Sequence, residues 1–153
     1  YRNKHVILTP FAETSINAVD RVTQLWQACG AEVSLMPADE HDKILAATSH
    51  LPHILAFTMM NHLNHSTDQL GNLLRFAGSG LRDFTRIAGS SPEMWRDICL
   101  ANREALLSQM DAYQKELHAL QVMLKSNDGA ALEKAFSQAR NARENWLNSK
   151  NPI

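Results

Sequence analysis

The sequence predicts a mainly α-helical protein that begins with a short strand–helix–strand unit. Two short apolar runs, residues 6–8 and 33–36, are of the β type and flank one amphipathic segment. From residue 38 onward, apolar residues recur at steps of three, four and seven, the spacing of helices that bury one face. The chain has 153 residues, 44% hydrophobic and 20% charged, which is enough to form the core of one ordinary domain.

The first unit consists of two strands and the helix between them. Thr14 or Ser15 can cap this helix, and Gly30 can end it with left-handed backbone. The inner face is marked by five apolar residues: Ile16, Val19, Val22, Leu25 and Trp26. One strand–helix–strand unit cannot bury both faces of its sheet. We therefore expect this part to be the end of a domain whose beginning is missing, or an addition to the helices that follow.

The middle of the chain is predicted to form three helices. The first covers residues 38–48, and Pro52 interrupts it because proline lacks an N–H and clashes with the preceding turn. Residues 53–63 are apolar on nearly every side and are expected to form a central, buried helix. Ser66 or Thr67 can cap a third helix over residues 68–76.

The last part is predicted to form one long helix and one final helix. Serine caps and Pro92 open the long helix, and its apolar spacing continues to Lys125, a length of about 50 Å at 1.5 Å per residue. The turn Asn-Asp-Gly at residues 127–129 separates it from the final helix, whose inward residues are Leu132, Ala135, Phe136, Ala139, Trp146 and Leu147. Such a helix outruns the core of a small monomer, so we expect both helices to pack in a homodimer.

Composition and charge exclude several classes of function. A formal net charge of −1 with interspersed signs does not suggest binding to nucleic acid or to a membrane surface. The longest apolar run, residues 54–60, is too short to span a bilayer. Cys29 and Cys99 lie far apart, without a CxxC motif, which predicts a cytoplasmic protein. The chain contains neither a GxGxxG turn nor a GK[ST] motif, so it has no nucleotide fingerprint of its own.

Residues 78–103 form the strongest candidate for a site. Two small-residue breaks, GSG and GSS, bracket a short segment, and the next helix places Trp95 in its first turn. Arg86 follows Asp83 by three residues, so the two can pair on a helix surface. Alternatively, Arg86 points into a pocket at the glycine turn and binds a carboxylate through both ends of its guanidinium. Trp95 is more often a core residue, although its N–H needs a partner when buried.

Metal binding and acyl transfer are weaker alternatives. Histidines stand three residues apart at two places, and His41-Asp42 resembles a dipeptide of helical metal phosphohydrolases, but no HExxH motif is present. We therefore expect no metal site, although a helical metal hydrolase remains an alternative. Ser49 lacks a nucleophile elbow, and Cys99 falls on the inner face of its helix, where it is expected to act as a small apolar residue.

One known family has motifs that this chain resembles in three places and in the same order. Residues 80–104 read GLRDFTRIAGSSPEMWRDICLANRE, which resembles the signature of the prephenate dehydrogenase family, the oxidoreductases of tyrosine biosynthesis. Residues 38–57 read ADEHDKILAATSHLPHILAF and match the EHD…SHLPH segment of that family, and residues 6–10 read VILTP. The resemblance extends to about residue 120.

The resemblance implies a domain organisation and an activity. Members have an N-terminal nucleotide-binding domain followed by a helical domain that forms the dimer. Residues 1–40 would then be the end of the NAD(P)-binding domain, and residues 41–153 the helical dimerisation and substrate-binding domain. The implied reaction converts prephenate and NAD(P)⁺ into 4-hydroxyphenylpyruvate, CO2 and NAD(P)H. The glycine-rich turn and the catalytic histidine would lie upstream of Tyr1, so this part alone is expected to be inactive.

The resemblance also implies roles for individual residues. Arg86, in DFTR, would bind a substrate carboxylate, and His53, the second histidine of SHLPH, would line the substrate site with Ser49 beside it. Trp95 would lie at the pocket, on the same or on the neighbouring subunit. Ser79 and Leu81 replace glycine and phenylalanine of many members, which leaves the choice between prephenate and arogenate open. A catalytically inactive helical module for dimerisation or ligand sensing is the alternative.

Overall fold

The computed structural model describes residues 1–70 and 73–149, and it is mainly α-helical with one two-stranded parallel sheet. This confirms the predicted fold class. The helices are α1 (Ile16–Ala28), α2 (Ala38–Leu45), α3 (Leu51–Leu70), α4 (Ser79–Thr85), α5 (Pro92–Ala101), α6 (Arg103–Lys125) and α7 (Gly129–Asn148). The chain divides into two units: one contains Tyr1–His41 and the chain from Ala112 onward, and the other is Asp42–Asp111.

The first unit opens with the predicted strand–helix–strand arrangement. Strands β1 (His5–Leu8) and β2 (Glu32–Leu35) pair in parallel, with His5 opposite Glu32 at one end of the register. The Ser15 hydroxyl caps α1 by accepting a hydrogen bond from the Ala18 N–H at 3.2 Å. The chain then turns into β2 through Gly30, whose φ of 87° is the left-handed conformation predicted for it.

The same unit ends with α7 and the larger part of α6. The turn between these helices lies at the predicted Asn-Asp-Gly sequence, where Asn127 has a φ of 53°. The Asp128 carboxylate caps α7 by accepting a hydrogen bond from the Ala131 N–H at 2.9 Å. Several large apolar side chains predicted to face inward are more than half exposed on α7: Phe136, Trp146 and Leu147.

The second unit departs from prediction at Pro52. The backbone does not break there: α2 continues into a π-helical turn (Ala46–His50), and α3 follows directly with Pro52 in its first turn. Within this turn the Leu51 N–H bonds to the carbonyl of Ala46, five residues back. A π-turn adds one residue to the helix, and it accommodates a proline that cannot donate a ladder hydrogen bond.

The helix that contains Pro52 also runs further than expected. The prediction ended it at residue 63 and placed a new cap at Ser66 or Thr67, but α3 continues to Leu70. The Ser66 hydroxyl donates to the His62 carbonyl at 2.9 Å, which satisfies the hydroxyl inside the helix and leaves it no role as a cap. Of the helix predicted over residues 68–76, residues 71 and 72 lie outside the described residues, and Leu73–Phe76 forms a 3-10 turn.

The long helix predicted from Pro92 to Lys125 is two helices. Its start is as predicted, with Ser91 as the cap and Pro92 in the first position, but the helix is interrupted at Asn102, where φ is −109° and ψ is 36°. The Asn102 side chain is occupied by hydrogen bonds to residues far away in the sequence, described below. Periodicity could not reveal this break because the apolar spacing continues through it.

Gly30 provides a test of the turn between α1 and β2. A Cβ at this position would lie 3.1 Å from the Arg2 Cα, in addition to the strain of a positive φ. We expect Gly30→Ala to lower the free energy of unfolding by about 1–2 kcal/mol, measured by urea denaturation. Gly129→Ala is the matched control, because nothing lies within 4 Å of its Cβ and it begins a helix. Equal stabilities of the two variants would contradict this account.

Candidate functional site

The four predicted site residues lie in the unit Asp42–Asp111, on separate elements. Ser49 belongs to the π-helical turn and His53 to the first turn of α3. Arg86 begins a 3-10 turn (Arg86–Gly89) that packs against α3 and α4, and Trp95 lies in the first turn of α5. The structure brings three of the four into one cluster.

His53, Trp95 and Ser49 form that cluster. The imidazole of His53 stacks on the indole of Trp95, with ring centroids 3.7 Å apart and planes 21° from parallel. Its Nδ1 lies 3.0 Å from the Ser49 carbonyl oxygen. A carbonyl can only accept, so Nδ1 carries the hydrogen and Nε2 of the neutral ring is left as an acceptor. Ser49 thus orients His53 through its backbone.

Trp95 is a buried residue with an unsatisfied donor. Its side chain is among the most buried in the described chain, and its Nε1–H has no hydrogen-bond partner among the described residues. A buried donor without a partner costs about 1–3 kcal/mol. The indole N–H would therefore gain from any acceptor that reaches it.

Two further residues of the cluster were missed by the sequence analysis. His50 and Asn102 are the buried polar residues of the described chain. Asn102 Nδ2 donates to the Asp42 carbonyl at 2.7 Å and to His50 Nδ1 at 3.2 Å. The His50 ring meets Trp95 edge to face, with centroids 6.0 Å apart and planes at 78°. Two features of the sequence could have identified them. His50 is the first histidine of the SHLPH motif, and Asn102 is a polar residue among apolar residues at helical spacing.

Arg86 lies outside this cluster as an exposed cation without an acidic partner among the described residues. Asp83, its possible partner, lies instead 3.8 Å from Arg82 Nε. The next two arginines along the chain, Arg96 and Arg103, pair at 2.8 Å with the acidic residues that follow them. Unlike these three arginines, Arg86 thus has a guanidinium that is available to an external anion. It makes no hydrogen bond to Ser49, His53 or Trp95.

A pocket of about 350 Å³ opens at the glycine turn. Its lining includes Gly78, Ser79 and Leu81, together with Met60, Leu74, Ala77, Arg82 and Thr85. The arginine that lines it is Arg82, and Arg86 is not among the lining residues. Ser79, which replaces a glycine of the family pattern, is therefore one of the residues that line this pocket.

The remaining chemistry considered for the chain gains no support. In the described part of the chain, no three His, Cys, Asp or Glu side chains come together as metal ligands would. Burial raises the pKa of the Cys99 thiol, which disfavours the reactive thiolate.

None of the described helices combines the length and apolarity needed to cross a bilayer.

The sequence model described as "Prephenate dehydrogenase, dimerization domain" matches residues 37–138, two thirds of the chain. The chain belongs to the prephenate dehydrogenase family. This confirms the resemblance drawn from the three motifs.

The relatives cover the chain almost completely. A cyclohexadienyl dehydrogenase from Zymomonas mobilis and a prephenate dehydrogenase from Bacillus subtilis are each 35% identical over 144 residues, or 94% of this chain. The aligned part is 49% of the first relative and 39% of the second. The chain therefore spans half or less of the length of these curated relatives.

Solved structures of the family agree in fold. The prephenate dehydrogenase of Aquifex aeolicus, in complex with hydroxyphenyl propionate and NAD⁺, is 33% identical and superposes with a TM-score of 0.90 over 95% of this chain. The match takes up 51% of that structure. The arogenate dehydrogenase of Synechocystis, at 23% identity, shares the fold with a TM-score of 0.83.

The hydrogen bonds of the two clustered histidines predict opposite neutral tautomers. His53 should carry its hydrogen on Nδ1, which donates to the Ser49 carbonyl, and His50 on Nε2, because its Nδ1 accepts from Asn102. Long-range ¹H–¹⁵N correlation spectra at a pH where both rings are neutral distinguish the two forms. Exposed His62 serves as the reference for an unconstrained ring. Finding the same tautomer for His50 and His53 would contradict the geometry.

Proposed function

We propose that this chain is the substrate-binding and dimerising part of a dehydrogenase acting on prephenate or its amino analogue arogenate. With prephenate, the enzyme would consume NAD(P)⁺ and produce 4-hydroxyphenylpyruvate, CO2 and NAD(P)H. Family membership and a coverage of 49% of the Zymomonas mobilis relative support this proposal. In it, residues 1–40 belong to the nucleotide-binding domain and residues 41–153 to the helical domain.

The available guanidinium of Arg86 is the observation that carries the proposal. Prephenate has two carboxylates, and a guanidinium binds a carboxylate through two parallel hydrogen bonds. Arg86 is exposed and without an ion pair among the described residues, while the arginines around it are paired. Its 3-10 turn packs against α3, the helix that carries His53.

His53 and Trp95 would complete the substrate site of this chain. His53 offers Nε2 toward a hydroxyl donor, because its Nδ1–H is committed to the Ser49 carbonyl. Trp95 contributes an apolar indole face, already stacked on His53, and an N–H without a partner among the described residues. These groups bind and orient an aromatic precursor, and we assign none of them the removal of the substrate's hydroxyl proton.

The residues of this chain do not provide the pyrophosphate-binding part of a dinucleotide site. The sequence contains no glycine-rich turn of the kind that holds a pyrophosphate at a helix N-terminus. The strand–helix–strand unit is the building block of nucleotide-binding sheets, yet one unit of two strands provides only an edge of such a sheet. The proposal therefore assigns NAD or NADP to a segment outside these residues.

Replacing Arg86 tests the carboxylate-binding role. In the full encoded protein we expect Arg86→Gln to raise the KM for prephenate by about 10- to 100-fold, because it removes a charge-assisted, bidentate hydrogen bond. NAD(P)H absorbance at varied prephenate concentration provides the measurement. The thermal midpoint should stay within about 2 °C, since an exposed residue without internal partners contributes little to stability.

Arg96→Gln is the matched control for this experiment. Arg96 is also an exposed arginine of the same unit, but it is paired with Asp97 at 2.8 Å, so its removal should leave the KM within twofold, about 0.4 kcal/mol or less. An unchanged KM in Arg86→Gln would refute the assignment of Arg86. A full-length protein that forms dimers but shows no prephenate-dependent NAD(P)H formation would instead favour the inactive dimerising module.

The second part of the proposal is a homodimer formed through α6 and α7. Large apolar side chains are about 40% exposed or more along both helices: Tyr113, Leu117, Val122, Leu124, Phe136, Trp146 and Leu147. Tyr113, Leu117 and Leu124 share one face of α6 by their spacing of four and seven residues, and monomeric proteins rarely leave large apolar patches in water. The family model that matches α6 and the first half of α7 is described as a dimerization domain.

Phe136 offers a test of this interface. It is 60% exposed on α7, and we expect Phe136→Asp to weaken dimerisation at least tenfold, because a carboxylate would be buried against apolar surface. Sedimentation velocity over a concentration series measures the change. Gln138→Asp adds the same charge two residues further along the helix on an exposed polar position, and it should leave the dimer intact. Dimers of equal strength in both variants would exclude this face.

A further inference from the structure

The break between α5 and α6 is made by a residue whose side chain reaches 60 residues back along the chain. Asn102 lies at the junction with non-helical backbone, and its side chain is buried. Its amide nitrogen donates one hydrogen to the Asp42 carbonyl at 2.7 Å and the other to His50 Nδ1 at 3.2 Å. Both hydrogens of the amide are thus used, one by a carbonyl of α2 and the other by a side chain of the π-helical turn.

The Asp42 carbonyl fixes which way the amide points. A backbone carbonyl can only accept, so the group 2.7 Å from it is the NH₂ and not the amide oxygen. The second hydrogen of that NH₂ then requires His50 Nδ1 to be an acceptor. The orientation of Asn102 therefore selects the tautomer of His50 and restrains the plane of its ring.

The restrained ring of His50 is one of two imidazoles that contact Trp95. His50 meets the indole edge to face at 6.0 Å, and His53 stacks on it at 3.7 Å. The strength of edge-to-face and stacked aromatic contacts depends on ring orientation. A displacement of His50 would therefore shift the indole, and through it the ring of His53.

We propose that Asn102 and His50 are positioning residues that hold Trp95, and through it His53, in the geometry that binds the substrate. This inference rests on the proposed function, because it assigns the cluster to substrate binding. Neither residue is required to touch the substrate: Asn102 acts on His50, and His50 acts on Trp95. The role differs from a merely structural one, since it predicts a change in binding that is separate from stability.

The test uses two variants of the full encoded protein. His50→Asn keeps a side-chain oxygen near the place of Nδ1, so it can still accept from Asn102, but it removes the ring that contacts Trp95. Asn102→Leu has similar volume and removes both hydrogen bonds. We expect each variant to raise the KM for prephenate by about 5- to 20-fold with kcat changed less than about threefold, because binding groups are displaced. His62→Asn, on the exposed side of α3, is the matched control and should change neither value.

A spectroscopic readout separates positioning from folding. In protein labelled with 5-fluorotryptophan, the ¹⁹F resonance of Trp95 is identified by its loss in Trp95→Phe. We expect it to shift in His50→Asn and in Asn102→Leu, while the resonances of Trp26 and Trp146 stay in place. His50→Asn keeps the test decisive if Asn102→Leu does not fold.

The outcomes distinguish this inference from the proposed function. A fall in thermal midpoint with an unmoved Trp95 resonance and an unchanged KM would overturn positioning and leave a structural role. If the unmodified enzyme forms no NAD(P)H from prephenate or arogenate, the proposed function fails. The Trp95 resonance then decides the matter alone: an unmoved signal in His50→Asn overturns the positioning role, and a shifted one supports it.

Discussion

One hydrogen bond, from the Asn102 amide to the Asp42 carbonyl, connects the two parts of the chain that build the candidate site. Asp42 and His50 come from the helical stretch before α3, and Trp95 comes from α5, which ends at Asn102. A buried amide that lost these partners would cost about 1–3 kcal/mol, a large part of the stability of an ordinary domain. The bond therefore constrains where α5 can lie, and with it the indole on which His53 stacks.

Hydrogen bonding divides the candidate site into side chains that are held in place and polar groups that remain unpaired. Two separate hydrogen-bonded sets form the part that is held in place: the Ser49 carbonyl holds His53, and the Asp42 carbonyl and Asn102 hold His50. Arg86 and the Trp95 N–H have no such partners among the described residues. The Trp95 N–H belongs to a buried ring, so it would lose little entropy on meeting an acceptor, whereas the exposed Arg86 side chain would have to become ordered.

Sequence reasoning succeeded where the determinants are local. The cap at Ser15, the left-handed Gly30 and the turn at residues 127–129 depend on residues within four positions of one another, and all three were predicted. It failed at Asn102 and Pro52 for the opposite reason. The break at Asn102 is stabilised by a carbonyl 60 residues away, which no periodicity can show. At Pro52 the rule that proline interrupts a helix predicted the wrong outcome, since the chain continues through a π-turn into α3.

The π-turn itself sets the register of the whole site. An α-helix advances 100° per residue, and a π-turn inserts one residue without ending the helix. Deleting any one residue of Ala46–His50 would restore an unbroken α-helix of almost the same length. It would also rotate the Asp42 carbonyl by about 100° around the axis relative to His53, away from the amide that it now meets. Such a deletion would therefore leave a regular helix, but the Asp42 carbonyl and His53 would no longer have the relative orientation that the candidate site requires.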